Sequence, residues 1–416
     1  MPVSFTNMRS MLGAVARSMN LINPDMEHHH EQTAYLAYQI GHMMGLRGDE
    51  LYYTIYVALL HDIGAVVFPE RLTIREIEAH AREIAKIGAS MIRDMEPFQK
   101  LACMIENNQN SYLESLELMG EGVVLDITQA VHVADVVTSL LSEKLPVLNQ
   151  VDAIVKAVES CSGTEFSPKA VEGFKAVSKR EFMWMDIVLN PEFLLFFTGK
   201  IRDISLEESL IYVRFMSRII DFRSPFTAMH SAGVAASARE LARLAGMNDE
   251  EIRMMEIAGY LHDIGKLHVP NEILEKPGKL TKEEFNIVKE HPYYTRLILM
   301  NVDGFDRIAN WAGFHHEKLN GNGYPFHFAS EQLDLGSRIM AVADIFSAIT
   351  EVRPYRAGMD REQAMKVMRE NVASGAVCGE VIDLLEQHYA EVDAAREKES
   401  REVGQRYYRS LEARKQ

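Results

Sequence analysis

A motif of widely spaced residues occurs twice in this chain. His29 is followed 32 residues later by His61-Asp62-Ile63-Gly64, and His230 is followed 32 residues later by His262-Asp263-Ile264-Gly265. The offset of 201 also relates Gly45 to Gly246, Glu50 to Glu251 and Pro69 to Pro270. With small shifts, Val133-Ala134-Asp135-Val136 parallels Val342-Ala343-Asp344-Ile345, and Ser162-Gly163 parallels Ser374-Gly375. Self-similarity at a fixed spacing means one structural unit used twice. Copy one covers residues 20–190 and copy two residues 205–395, with a junction from Asn190-Pro191 to Asp203. Residues 396–416 are rich in Arg, Lys and Glu and read as a charged, solvated terminal helix or tail.

Each copy reads as a helical bundle. Leu241, Leu244 and Ala245, then Met254, Ile257, Ala258 and Leu261, recur at the spacing of a buried helical stripe. His262 and Asp263 therefore fall at the end of a helix, with Gly265 as its expected terminator. Thr281 and Glu284 have the spacing of a capping box that starts the next helix. Strand signals are scarce, so the expected fold is all-α, two helical bundles in tandem.

The 416 residues carry a formal net charge of −16. That charge argues against a nucleic-acid polymer or an anionic membrane as partner. A phosphate-bearing small molecule stays open, because bound cations reverse the sign inside one cleft. Cys103, Cys161 and Cys378 show neither metal spacing nor even pairing, and read as free, mostly buried thiols in a reducing compartment. No apolar run looks long enough to span a membrane, and the N-terminus lacks a signal-peptide core. The expected location is the cytoplasm.

Copy two holds His230, His262-Asp263, His291, His315-His316 and Asp344. Isolated histidines in helical proteins more often serve packing or the surface than chemistry. Five histidines ordered with two aspartates are different: imidazole and carboxylate donors suit Fe, Mn, Ni, Co or Zn. Seven ligands exceed one ion and suit two, with a carboxylate bridging. Two such ions can activate water and clamp the oxygens of an in-line displacement at phosphorus. His-His-Glu317 then leads into Asn320-Gly321-Asn322-Gly323-Tyr324-Pro325, a glycine-rich turn that a bundle does not need for packing and that allows close backbone approach to a ligand.

The run from His315 to Pro325 resembles the signature loop of HD-GYP domains, and His262-Asp263-Ile264-Gly265-Lys266 resembles their HD motif. His291-Pro292, Ala343-Asp344 and Arg353-Pro354-Tyr355-Arg356 follow in the order of that family. The resemblance implies a metal-dependent phosphodiesterase that hydrolyses a cyclic dinucleotide, cyclic di-GMP or mixed cyclic GMP-AMP, to the linear dinucleotide or GMP. It implies two divalent ions, iron or manganese first. His230, His262, Asp263 and Asp344 would hold one ion. Asp263, His291, His315 and His316 would hold the other, with a bridging water or hydroxide as nucleophile. Asp263 and Lys266 would be the catalytic pair, Lys266 also contacting a phosphate oxygen. Gly323, Tyr324, Arg353 and Tyr355 would line the substrate, and Glu317 would orient a ligand histidine or the loop. Three-metal members carry a Glu four residues before the first histidine; here that residue is Phe226, which cannot ligate.

Copy one keeps His29, His61, Asp62 and Asp135, a four-ligand set for at most one ion. It has Ala65 in place of Lys266 and lacks the Gly-Tyr-Pro turn; the His-His-Glu region falls near Glu106–Gln109, and only His80 lies near the place of His291. Copy one therefore reads as a regulatory, ligand-sensing or homodimerising module that has kept the fold. His268, His327 and His388 fall outside the pattern. Two rival functions remain: an HD phosphohydrolase of another nucleotide, which the Gly-Tyr-Pro loop disfavours, and a non-catalytic cyclic-nucleotide sensor or scaffold, which the ligand set with Lys266 disfavours for copy two.

Overall fold

A computed structural model describes residues 5–22, 28–68, 72, 74–93, 95–96, 98–142, 144–189, 202–223, 225–351 and 357–413, without the side chains of 74–75, 221–228 and 406–413. It is helical almost throughout; among the described residues the only strands are Thr6–Asn7 and Asp203–Ile204, an antiparallel pair. The chain forms two compact units, Val15–Arg202 and Met1–Ala14 with Asp203–Gln416. The first fourteen residues thus belong with the C-terminal unit, where Phe5 packs against Phe305 at 5.9 Å.

In the C-terminal unit the helix Asp249–Leu261 carries the His-Asp motif at its end. Its start is over-determined: Asn248 and Glu251 form a capping box, and Asp249, Glu250 and Glu251 lie in the first turn, where the helix dipole favours negative charge. It packs on Pro225–Leu244, which carries His230. The crossing is close, because a Cβ on Gly259 would lie 2.4 Å from the Cα of Ala235. Asp344 comes from the buried helix Leu335–Thr350 and His291 opens the helix His291–Leu299. The capping box of Thr281 and Glu284 forms as read from the sequence.

The N-terminal unit repeats this plan with helices His29–Met44, Asp49–Leu60, Ile74–Ile92, Gln99–Asn107 and Val123–Leu140. The matched glycines Gly45 and Gly246 both have positive φ, 98° and 78°, and both follow the helix that bears the first histidine. Val123–Leu140 has the length and mean hydropathy, 1.4, of a membrane span, contrary to the sequence reading; 61% of it is buried within the unit, and it carries Asp135.

Three local expectations change. Gly265 does not end its helix through a left-handed conformation. Its role is contact: an added Cβ would sit 2.0 Å from the His291 carbonyl oxygen and 2.7 Å from the Thr295 nitrogen. The terminal charged segment is not simply solvated. It belongs to the helix Tyr389–Ala413, which lies along Pro225–Leu244 with Arg396 buried and Ser400 donating to the Met229 carbonyl at 2.9 Å. The thiols are not mostly buried either: Cys378 is, but Cys103 is exposed and Cys161 half-buried.

Candidate metal centre

Helix ends assemble the C-terminal site. His262 and Asp263 follow Leu261, His291 opens its helix, and His315-His316 follow the helix Asp306–Gly313. At such ends carbonyl groups lack intrahelical partners and are open to side chains. His262, His291 and His315 each donate Nδ1–H to the carbonyl three residues earlier: Gly259 at 2.8 Å, Val288 at 2.6 Å and Ala312 at 2.6 Å. This fixes the tautomer, so each Nε2 points its lone pair inward.

Those Nε2 atoms converge on Asp263, which is 1% exposed. Its Oδ2 lies 3.2 Å from His262 Nε2 and its Oδ1 lies 3.3 Å from His291 Nε2 and 3.9 Å from His315 Nε2. Asp344 Oδ1 lies 3.1 Å from His230 Nε2 and 3.9 Å from His262 Nε2, and its Oδ2 lies 3.6 Å from His316 Nδ1. His291 Nε2 and His315 Nε2 are 3.2 Å apart. Two lone pairs facing each other at that distance repel unless a cation lies between them. His262 Nε2 and Asp263 Oδ1 are buried and complete no hydrogen bond among the described residues.

The charge states agree for His291, His315 and His316, whereas Asp263 raises His262 against its burial. Burial holds His291 and His315 below the usual histidine range, and pushes His316 down to about 3, with His291 and Lys266 adding to the effect. These rings are neutral at pH 7 and free to ligate. Burial would raise Asp263 and Asp344, but the neighbouring histidines, and Lys266 beside Asp263, outweigh it and hold both carboxyls ionised. Donor atoms within 4.8 Å of one another form one trio of His230, His262 and Asp344 and another of His291, His315 and His316, with Asp263 between them. The residues fit two divalent cations.

Lys266 donates to Asp263 Oδ2 at 2.6 Å. Of the two roles expected for Glu317, the side chain takes the loop: it is buried and accepts from the backbone of Phe326 at 2.7 Å and Phe328 at 3.0 Å. Gly323 is pressed into its own loop, where a Cβ would lie 2.4 Å from the Glu317 Cα, so loop closure requires a glycine there. Tyr324 is half-buried, its ring 4.9 Å from that of His316. Arg353, Tyr355 and the Phe226 side chain lie outside the described residues. His268 and His388 pair with Glu290 and Glu391 instead of joining the cluster.

Two features escaped the sequence reading. Thr295 Oγ1 accepts from Gly265 N–H at 3.0 Å and donates to the His262 carbonyl at 2.8 Å, tying the His291 helix to the His-Asp motif. Phe285, 44% exposed, lies 6.0 Å from Tyr324, and Lys289 Nζ is 5.8 Å from both rings. Only the turn spacing of Thr295 after His291 hinted at the first; nothing in the sequence marked the second.

The N-terminal unit holds half of this arrangement. His29 Nε2 lies 3.1 Å from Asp135 Oδ1, and His61 Nε2 lies 3.1 Å from Asp62 and 3.3 Å from Asp135. A Cβ on Gly64 would meet Ile84 O at 2.1 Å and Gly88 N at 2.8 Å, as one on Gly265 meets His291 and Thr295. Ile84 therefore stands where His291 stands, at an offset of 207. The same offset places Asn108 at His315 and Gln109 at His316, and Gln109 donates to Asp135 at 2.8 Å as His316 faces Asp344. His80 is on the surface, bonded to the Glu76 carbonyl. Beside the quartet lies a cavity of about 240 Å³ lined by Glu78, Gln109, Ile77 and Leu140.

Residues 26–140 and 214–377 each match an HD domain family. Over 403 residues the chain is 28% identical to the 3′3′-cGAMP-specific phosphodiesterase 1 of Vibrio cholerae serotype O1, covering 91% of each protein. It is 34% identical over 286 residues to the 3′3′-cGAMP-specific phosphodiesterase 3 of that organism, covering 62% of this chain and 59% of the relative. It is 42% identical over 146 residues to a cyclic di-GMP phosphodiesterase of Pseudomonas aeruginosa, covering 35% of each. In fold it is similar to the crystal structure of a V. cholerae cyclic GMP-AMP specific phosphodiesterase, with a TM-score of 0.62 and 22% identity, covering 94% of this chain and 97% of that one. The chain belongs to the HD-domain family, with one HD domain in each half.

Proposed function

We propose that the protein is a cyclic-dinucleotide phosphodiesterase whose chemistry resides in the C-terminal HD domain. The observation that carries this reading is the convergence of the Nε2 lone pairs of His262, His291 and His315 on the ionised Asp263, next to His230, His316 and Asp344. The 91% overlap with a cGAMP-specific relative supports the substrate class, and mixed cyclic GMP-AMP is the preferred member of it.

Two divalent cations, iron or manganese, would sit in the two trios with Asp263 shared, and would activate water and neutralise phosphoryl charge. The chain's own residues do the rest. Asp263 and Asp344 bring two ionised carboxylates among the five imidazoles, where they offset part of the charge of bound cations. Lys266 pairs with Asp263 and, with its side chain 22% exposed, is placed to turn to a phosphate oxygen as negative charge builds in the transition state. Tyr324 and Phe285 offer aromatic faces to a base at the rim, and Glu317 fixes the loop that presents Tyr324.

We infer a different role for the N-terminal HD domain. Its first-ion quartet is in place, but Ile84, Asn108 and Gln109 offer no imidazole for a second ion, and Ala65 supplies no cation. It reads as a regulatory module that holds at most one ion, and homodimerisation through it belongs to the same proposal. The test is hydrolysis of cyclic di-GMP and of mixed cyclic GMP-AMP, side by side, on protein purified without oxygen and loaded with Fe²⁺ or Mn²⁺. Turnover of the mixed dinucleotide above cyclic di-GMP is expected. No turnover of either, with two ions bound per chain, would overturn the enzymatic reading in favour of a sensor.

A further inference from the structure

His230 is held differently from its partners. His262, His291 and His315 use free carbonyls at helix ends. His230 lies inside the helix Pro225–Leu244, where carbonyls are taken by the helical ladder. Its Nδ1 is buried and completes no hydrogen bond among the described residues. The atom facing it, at 3.7 Å, is Oε2 of Glu351, the residue that follows the helix Leu335–Thr350. The two side chains are only 7% and 8% exposed. In the N-terminal HD domain the matching His29 Nδ1 faces a neutral hydroxyl, Thr138 Oγ1, at 3.5 Å.

An imidazole that ligates through Nε2 carries its proton on Nδ1, and that proton needs an acceptor. Backbone carbonyls serve the rings of His262, His291 and His315. We propose that Glu351 is a positioning residue for His230: it accepts the Nδ1–H bond, holds Nε2 toward Asp344 and strengthens the first-ion position. A buried carboxylate in that role raises the basicity of the ligand more than a hydroxyl does. The two HD domains thus share the first-ion donors but differ behind them. A change of a few tenths of an ångström in the Glu351 side chain turns the 3.7 Å contact into a hydrogen bond. The inference rests on the two-ion reading of the C-terminal site.

The experiment is a Mn²⁺ titration of the metal-stripped full-length protein, following free Mn²⁺ by electron paramagnetic resonance. Wild type is compared with Glu351→Gln and Glu351→Asp, and unfolding midpoints are taken without metal. The isosteric Glu351→Gln is expected to weaken one of two C-terminal ions by about 10–100-fold and leave the other unchanged. Glu351→Asp, which keeps the charge, should recover part of that loss, a result that a packing role would not give. Wild-type affinity for both ions in Glu351→Gln overturns the inference while leaving the two-ion site standing. Equal weakening of both ions with a lowered unfolding midpoint also overturns it, as a structural role. If wild type itself binds no pair of ions, the two-ion reading fails first and this inference with it.

Discussion

Replacing Asp263 by Ala removes the buried carboxylate whose two oxygens face imidazoles of both trios. Its Oδ2 serves His262 and Lys266, and its Oδ1 faces His291 and His315. Without it, the first position retains His230, His262 and Asp344, and the second retains three neutral imidazoles with no charge of their own. Losing a group that merely orients a ligand costs about 10–100-fold in metal affinity, and a ligand costs at least that. Because the loss falls on both ions and hydrolysis needs both, the factors multiply to about 10²–10⁴ in the doubly loaded form. At roughly 1.4 kcal/mol per decade this is about 3–6 kcal/mol. The fold itself should survive. The substitution also relieves the desolvation of a buried carboxylate, and Lys266, at 22% side-chain exposure, can turn to water. The assay is anaerobic hydrolysis of mixed cyclic GMP-AMP, with metal content measured on the same sample and thermal unfolding measured without metal. Turnover within tenfold of wild type, with two ions still bound, would refute the shared-ligand reasoning.

Asp62→Ala should leave hydrolysis within a few-fold of wild type, since the N-terminal quartet lacks a second ion position; complete loss would show that this domain is catalytic or coupled to catalysis. Thr295→Val leaves the buried Gly265 N–H and His262 carbonyl without their shared hydroxyl and should cost about 1–3 kcal/mol in urea unfolding, with weakened metal binding because the His291 helix loosens; an unchanged midpoint would contradict the tie. Metal-free protein should lose stability as pH falls below about 6.5. Burial holds His291, His315 and His316 below that value when folded, His316 at about 3, so the unfolded chain takes up their protons first. The loss should run at no more than about 1.4 kcal/mol per pH unit per histidine, and less for the partly exposed His316, while His262, raised by Asp263 against its burial, acts in the opposite sense. Denaturation midpoints at pH 7, 6 and 5 check this, and a flat profile would mean the rings are already protonated in the folded protein.

Much of this protein was present in its sequence. The duplication, the helical stripes and the order of His230, His262-Asp263, His291, His315-His316 and Asp344 are properties of spacing, and spacing sets which residues share a helix end or a buried face. The capping box of Thr281 follows from local geometry alone and formed as expected. Three things needed the tertiary structure. Gly265 looked like a helix stop because local sequence cannot show that the His291–Leu299 helix passes within contact distance. The loss of the second ion position in the N-terminal domain was visible as missing histidines, but only the Gly64 contact identified Ile84, Asn108 and Gln109 as their replacements, since the sequence offset slips from 201 to 207 between Pro69 and Ile84. The charged terminal segment looked solvated because charge density describes one face of a helix, whereas burial of Arg396 and the bond from Ser400 to the Met229 carbonyl depend on which face the fold turns inward. Periodicity and spacing are local and survive in one dimension; close approach between distant segments, which decides what Glu351 does for His230, exists only once the chain has packed.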